Sequence, residues 1–182
     1  MKNNSNKEII YKVRDEKLDI VNPICNGELI SHTTTEALST LEFSEDVVTI
    51  KEGAFKGCNS LLKIAIPEAV TEIGEGAFDC NSLVELYVEA KNPPIISGNI
   101  FKEGVGIPNI YIPNESLVAY ENAEGWKDYR GHFIGWNVET DLPAFFERLP
   151  ESGQEFYKKF RSCNTMEDLE NLFNEYMGQS KS

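Results

Sequence analysis

Cationic side chains are scarce in this 182-residue chain: 17 Lys and Arg stand against 30 Asp and Glu, for a formal net charge of −13 at pH 7. Binders of nucleic-acid backbone concentrate Lys and Arg to displace counterions from phosphate, so no nucleic-acid partner is expected. Anionic membrane surfaces are disfavoured for the same reason. Long apolar runs are missing too: stretches such as Pro93 to Ile96 span a few residues, against the roughly 20 that cross a bilayer, so no membrane insertion is expected. Histidine and cysteine are few. His32, His132, Cys25, Cys58, Cys80 and Cys163 fall at no CxxC spacing, and neither a structural zinc ion nor any other metal or cofactor is expected.

Catalytic motifs are absent as well. The sequence holds no GxxxxGK[ST], GxSxG or HExxH, which leaves phosphate cradling, a nucleophile elbow and zincin chemistry without local support. The run GEGAFD, Gly74 to Asp79, starts like a Gly-x-Gly fingerprint but has no third glycine. His32 sits among hydroxyls in ELISHTTTEAL and reads as a polar loop residue. No catalytic residue is predicted and no enzyme is expected. The first ten residues, MKNNSNKEII, carry no apolar signal core. A cytoplasmic protein is expected if Met1 is the natural start, and a surface or secreted one if the chain is a processed form.

What the sequence does contain is an internal repeat. VVTIKEGAFKGCNSLLKIAI, Val47 to Ile66, recurs as VTEIGEGAFDCNSLVELYV, Val70 to Val88, with a period of 23 residues. Ile50 maps to Ile73 and Phe55 to Phe78; after a one-residue deletion Cys58 maps to Cys80 and Ile64 to Leu86. A degenerate third copy places Phe101 after Phe78 and returns to a strand in IPNIYIP, Ile107 to Pro113. Each unit has short alternating pieces, with Leu86 and Val88 inward and Glu85 and Tyr87 outward. The small residues between them predict a turn or short helical segment. One such unit cannot bury its apolar face alone, so successive units must stack into a solenoid with Phe55, Phe78 and Phe101 in a column. Cys58 and Cys80 read as small hydrophobes in that interior.

The motif IPEAVTEIGEGAFDCNSLVEL, Ile66 to Leu86, resembles the BspA-like leucine-rich repeat family. IYIPNESLVAYENAEGWKDYRGHFI, Ile110 to Ile134, resembles that family's terminal cap, with Tyr120 and Trp126 closing the last coil. The likeness implies a scaffold used for binding, often in bacteria, and no catalytic site. The fold class is therefore expected to be α+β: a short leucine-rich-repeat solenoid of stacked strands and turns, followed by a small helical segment. Residues 1–136 form the repeat domain, with opening strands over 8–43, repeats over 44–112 and the cap over 113–136; a helical module occupies 137–182.

Outward positions on the strand closing each unit form a ladder: Thr40 and Glu42, Lys63 and Ala65, Glu85 and Tyr87, Asn109 and Tyr111. Of these, Lys63, Glu85, Tyr87, Asn109 and Tyr111 are the candidate binding residues, since paired tyrosines among charges can anchor an interface or stack on a sugar. A second ladder, Val48, Thr49, Thr71 and Glu72, offers less distinctive chemistry.

Beyond Trp136 the chain turns helix-favouring. Thr165 and Asp168 make a capping box ahead of Leu169, Leu172, Phe173 and Tyr176, spaced on one helical face. These side chains can pack together, cover the last repeat or dock a partner. Two functions are thus expected: a non-enzymatic module binding a protein or glycan, or a structural subunit attached through the C-terminal helices. No oligomeric state is implied.

Overall fold

Where apolar and polar residues alternate, the chain forms short strands, as β-branched, Leu and Tyr side chains on a half-buried surface favour. A computed structural model describes residues 6–14, 18, 23–34 and 39–136. The strands are β1 (Glu8–Val13), β2 (Leu29–Thr34), β3 (Ser39–Phe43), β4 (Thr49–Ile50), β5 (Leu61–Ile66), β6 (Glu72–Ile73), β7 (Glu85–Val88), β8 (Ile95–Ile96), β9 (Asn109–Pro113) and β10 (Phe133–Trp136). One α-helix, α1 (Leu117–Asn122), lies between two 3₁₀ turns, Asn114–Ser116 and Trp126–His132. The fold is α+β. The expected helical module, 137–182, lies outside the described residues.

Two sheets hold the strands. The order in the larger, seven-stranded sheet is β10-β9-β7-β5-β1-β3-β2, and in the smaller it is β4-β6-β8. The repeat is written into both, at 23 residues in the small sheet and at 22 and then 24 in the large one. Thr49 pairs with Glu72 and Glu72 with Ile95 in the small sheet, all parallel. In the large sheet Ile64 pairs with Leu86, and Leu86 with Ile110. Strands β9 and β10 continue the parallel series, with Phe133 opposite Ile110.

Between the sheets the chain forms turns and no helix. Even there the backbone bonds run from one repeat to the next: Phe55 N donates to the Ala77 carbonyl at 2.7 Å and Phe78 N to that of Ile100 at 2.9 Å. Gly53 and Gly76, at equivalent positions, both adopt the left-handed region, with φ of 60° and 62°. Gly74 answers a different need, because a Cβ there would collide with the backbone of Glu52 in the preceding repeat.

The core fills the space between the sheets. The rings of Phe55 and Phe78 stack with centroids 5.7 Å apart and planes 5° from parallel. Phe101 follows 6.1 Å from Phe78, and Tyr129 closes the column edge-on to Phe101 at 5.2 Å. Cys80 and Cys25 are buried and Cys58 is half-buried; burial is the main cause pushing the Cys80 thiol up to about 12. At the far end Tyr120 and Trp126 are fully buried. Tyr120 Oη donates to the Ala90 carbonyl at 2.7 Å and Trp126 Nε1 to the Pro94 carbonyl at 2.6 Å, so both polar tips are satisfied.

Two expectations are corrected at the N-terminal end. Thr40 and Glu42 do not neighbour Lys63 and Ala65, because β1 inserts between β3 and β5, antiparallel to both. Its alternation explains the insertion: Ile9 and Tyr11 are fully buried, and the first repeat strand gains a paired edge in place of a bare one. His32 is a residue of strand β2 and not of a loop, and its Nε2 shares a hydrogen bond with the buried Tyr11 hydroxyl.

Candidate interaction surface

Period-2 alternation along β5, β7 and β9 sends Ile64, Leu86 and Ile110 into the core, fully buried, and leaves their sequence neighbours on the opposite, outer face. Strand register then aligns those neighbours in rows. Lys63 pairs with Glu85 and Glu85 with Asn109; Ala65 pairs with Tyr87 and Tyr87 with Tyr111. The five candidate residues are thus contiguous on one face. Strand β1 extends both rows, since Lys12 pairs with Lys63 and Ile10 with Ala65. Strand β10 places Ile134 opposite Tyr111.

Contiguity does not make these side chains open. Glu85 is 9% and Tyr87 5% exposed, contrary to the expectation of freely presented outward positions. Their mutual contacts give the physical reason. The Tyr87 ring stacks on Tyr111 with centroids 4.3 Å apart and planes 6° from parallel, and meets the edge of Trp136 at 5.1 Å. Its hydroxyl donates to Glu85 Oε2 at 2.8 Å, and Lys63 Nζ donates to the same oxygen at 2.7 Å. One carboxylate oxygen therefore ties two repeats together through the charge-assisted bond to Lys63, while the phenol bond fixes it within its own strand. Asn109 is exposed, while Lys63 and Tyr111 are half-buried.

Next on the same face, Glu89 follows Tyr87 by two residues. Burial pushes its carboxyl up to about 7, and repulsion from Glu68 adds to the effect. Trp136, 2% exposed, is the residue of this face that sequence reasoning missed. Its indole Nε1 has no hydrogen-bond partner among the described residues. With Phe133 opposite the inward Ile110, alternation would have placed Ile134 and Trp136 on the outer face, opposite Tyr111 and Pro113. In the second ladder Val48, Thr71 and Glu72 are exposed and Thr49 half-buried; Ile95, opposite Glu72, is 70% exposed. The candidate docking residues Leu169, Leu172, Phe173 and Tyr176 lie outside the described residues. No group of His, Cys, Asp or Glu among the described residues could hold a metal ion, and no helix among them is long and apolar enough to cross a membrane.

Strands that return about every 23 residues in parallel register, turns bonded repeat to repeat and a phenylalanine column together define a leucine-rich repeat protein. The model of the BspA type leucine rich repeat region (6 copies) matches residues 31–123, just over half of the chain, and the chain belongs to that family. No curated protein matches the sequence.

Proposed function

We propose that the chain is a non-enzymatic protein-interaction module, a short solenoid of BspA-type repeats that recognises its partner through the outer face of β5, β7 and β9. Membership of a leucine-rich repeat family supports the class of function. The observation that carries the choice of face is the fixed group Lys63, Glu85 and Tyr87, in which a shared carboxylate oxygen holds a cation and a phenol in place before any partner arrives. Side chains already immobilised lose little entropy on binding. Asn109 and Tyr111 complete the contact surface, with Ile134 as an apolar neighbour 38% exposed. A protein partner is favoured over a glycan because Tyr87, the central ring of this face, is 5% exposed, stacked on Tyr111 and tilted against Trp136, so that ring offers no open face to a sugar.

The test is site-specific photo-crosslinking of the full chain in extracts of its source. A benzoylphenylalanine at Asn109 or Ile134 is expected to yield a discrete protein adduct that Tyr111→Ala diminishes, while the same probe at Thr71 yields none. Equal adducts from Thr71, or specific retention on a glycan array abolished by Tyr111→Ala, would count against the reading.

A further inference from the structure

We propose that the turns joining the two sheets form a second binding site, a charged trough that takes a short extended segment of a partner protein in which basic and acidic residues alternate. The site belongs to the turns after β4, β6 and β8, not to the outer face of β5, β7 and β9, and does not rest on the reading of that face. It is a cavity of about 1050 Å³ lined by residues of all three repeats.

Backbone bonds between repeats build the trough. Gly53 N donates to the Glu75 carbonyl at 3.0 Å and Gly76 N to that of Asn99 at 2.8 Å, so residues 23 apart in sequence lie side by side, about 4.8 Å from one repeat to the next. Two charged rows result, Glu52 with Glu75, and Lys56 with Asp79 and Lys102, and all five residues line the cavity. Gly53 and Gly76 line it too. A Cβ on Gly53 would stand 3.6 Å from Lys56 Cβ, and one on Gly76 3.8 Å from Asp79 Cβ, so the floor beside the second row carries no side chain. Gly98 leaves the first row short in the third repeat: its Cβ would come within 3.0 Å of Glu75 Cδ.

Charge selects the occupant. Lys56 meets Asp79 at 3.5 Å, with the lysine side chain 67% exposed. Glu52, Glu75 and Lys102 are exposed and take part in none of the ion pairs among the described residues. Like charges on neighbouring repeats, as at Glu52 and Glu75, cost stability, and a local cost with no gain inside the fold is characteristic of functional positions. A cationic side chain set between the two glutamates offsets their repulsion, and a carboxylate beside Lys102 answers the second row. Consecutive side chains of an extended chain point to opposite sides, so alternating basic and acidic residues bring one sign to each row. A purely basic segment would set its own charge against Lys102. A second copy of this chain would bring a net charge of −13 against the same charge.

Three repeats span about 10 Å, the reach of about three extended residues, so a capped peptide of alternating arginine and glutamate about six residues long covers the trough. Added to the isotope-labelled full chain at low salt, it is expected to shift the amide resonances of Gly76, Gly98 and Lys102. A peptide of the same composition, with its arginines in one block and its glutamates in another, places both signs on each side and should bind about threefold or more weakly. In the protein, Glu52→Gln with Glu75→Gln should weaken the alternating peptide by about as much, and so should Lys102→Gln; these are exposed sites, and the unperturbed resonances of the core report that the fold is kept. Shifts confined to β5, β7 and β9, equal binding of the block peptide, indifference to the glutamine variants, or the same shifts from calcium chloride alone at matched ionic strength would each overturn the proposal.

Discussion

The middle ring of the phenylalanine column offers the sharpest test of the stacked core. Phe78 is 1% exposed and lies between Phe55 at 5.7 Å and Phe101 at 6.1 Å. Truncation to alanine removes the ring from two interfaces at once, and a buried Phe→Ala change costs about 3–5 kcal/mol when its surroundings cannot collapse. Collapse is restricted here because the backbone on either side is bonded repeat to repeat. With a urea slope of about 2 kcal/mol/M, the unfolding midpoint should fall by about 1.5–2.5 M. Since marginal domains hold only about 5–15 kcal/mol in total, Phe78→Leu should be measured alongside, with a smaller fall. Phe55→Ala combined with Phe78→Ala should depart from additivity, because the rings touch. A fall below about 1 kcal/mol for Phe78→Ala, or strict additivity, would refute the packed column.

Further outcomes follow from the same geometry. Removing Lys63 (Lys63→Met) strands the largely buried Glu85 carboxylate and should destabilise by about 1–3 kcal/mol, whereas Lys63→Met with Glu85→Gln should recover much of that loss in urea unfolding. Glu89 has its folded pKa raised from 4.5 to about 7, so the folded state binds its proton more tightly and stability falls as pH rises from about 4.5 to 7. Glu89→Gln should flatten that window and stabilise the protein above pH 7 by on the order of 1–3 kcal/mol, measured by unfolding across pH; an unchanged profile would remove the burial argument. Cys80, its thiol pushed up to about 12, should resist iodoacetamide in the folded protein near neutral pH and react on unfolding; labelling of the native form at a model-thiol rate would contradict its burial.

The repeat was legible because a fixed period survives in the residues that packing constrains most. Phe55, Phe78 and Phe101 recur at that spacing, and the strand register reproduces it at Thr49, Glu72 and Ile95. Inward and outward sets followed from alternation alone, since a pleated strand leaves no choice once one residue is assigned to the core. Three things were not legible. Insertion of β1 between β3 and β5 is a long-range pairing outside the repeat, and nothing in EIIYKV says which edge it will take. Burial of Glu85 and Tyr87 depends on what lies across the face, and Trp136 reaches Tyr87 from a strand that belongs to the cap. The place of His32 on β2 was obscured by the hydroxyl-rich run around it, a composition common to loops and to edge strands alike.

The account rests on which residues of β5, β7 and β9 face outward, and cross-strand backbone proton contacts measured by NMR on the full chain address this directly. They should join Lys63 to Glu85 and Glu85 to Asn109, with Ile64, Leu86 and Ile110 forming the next row. A slip of one residue in either pairing would exchange the buried and outer sets, and would contradict both the core described and the surface proposed.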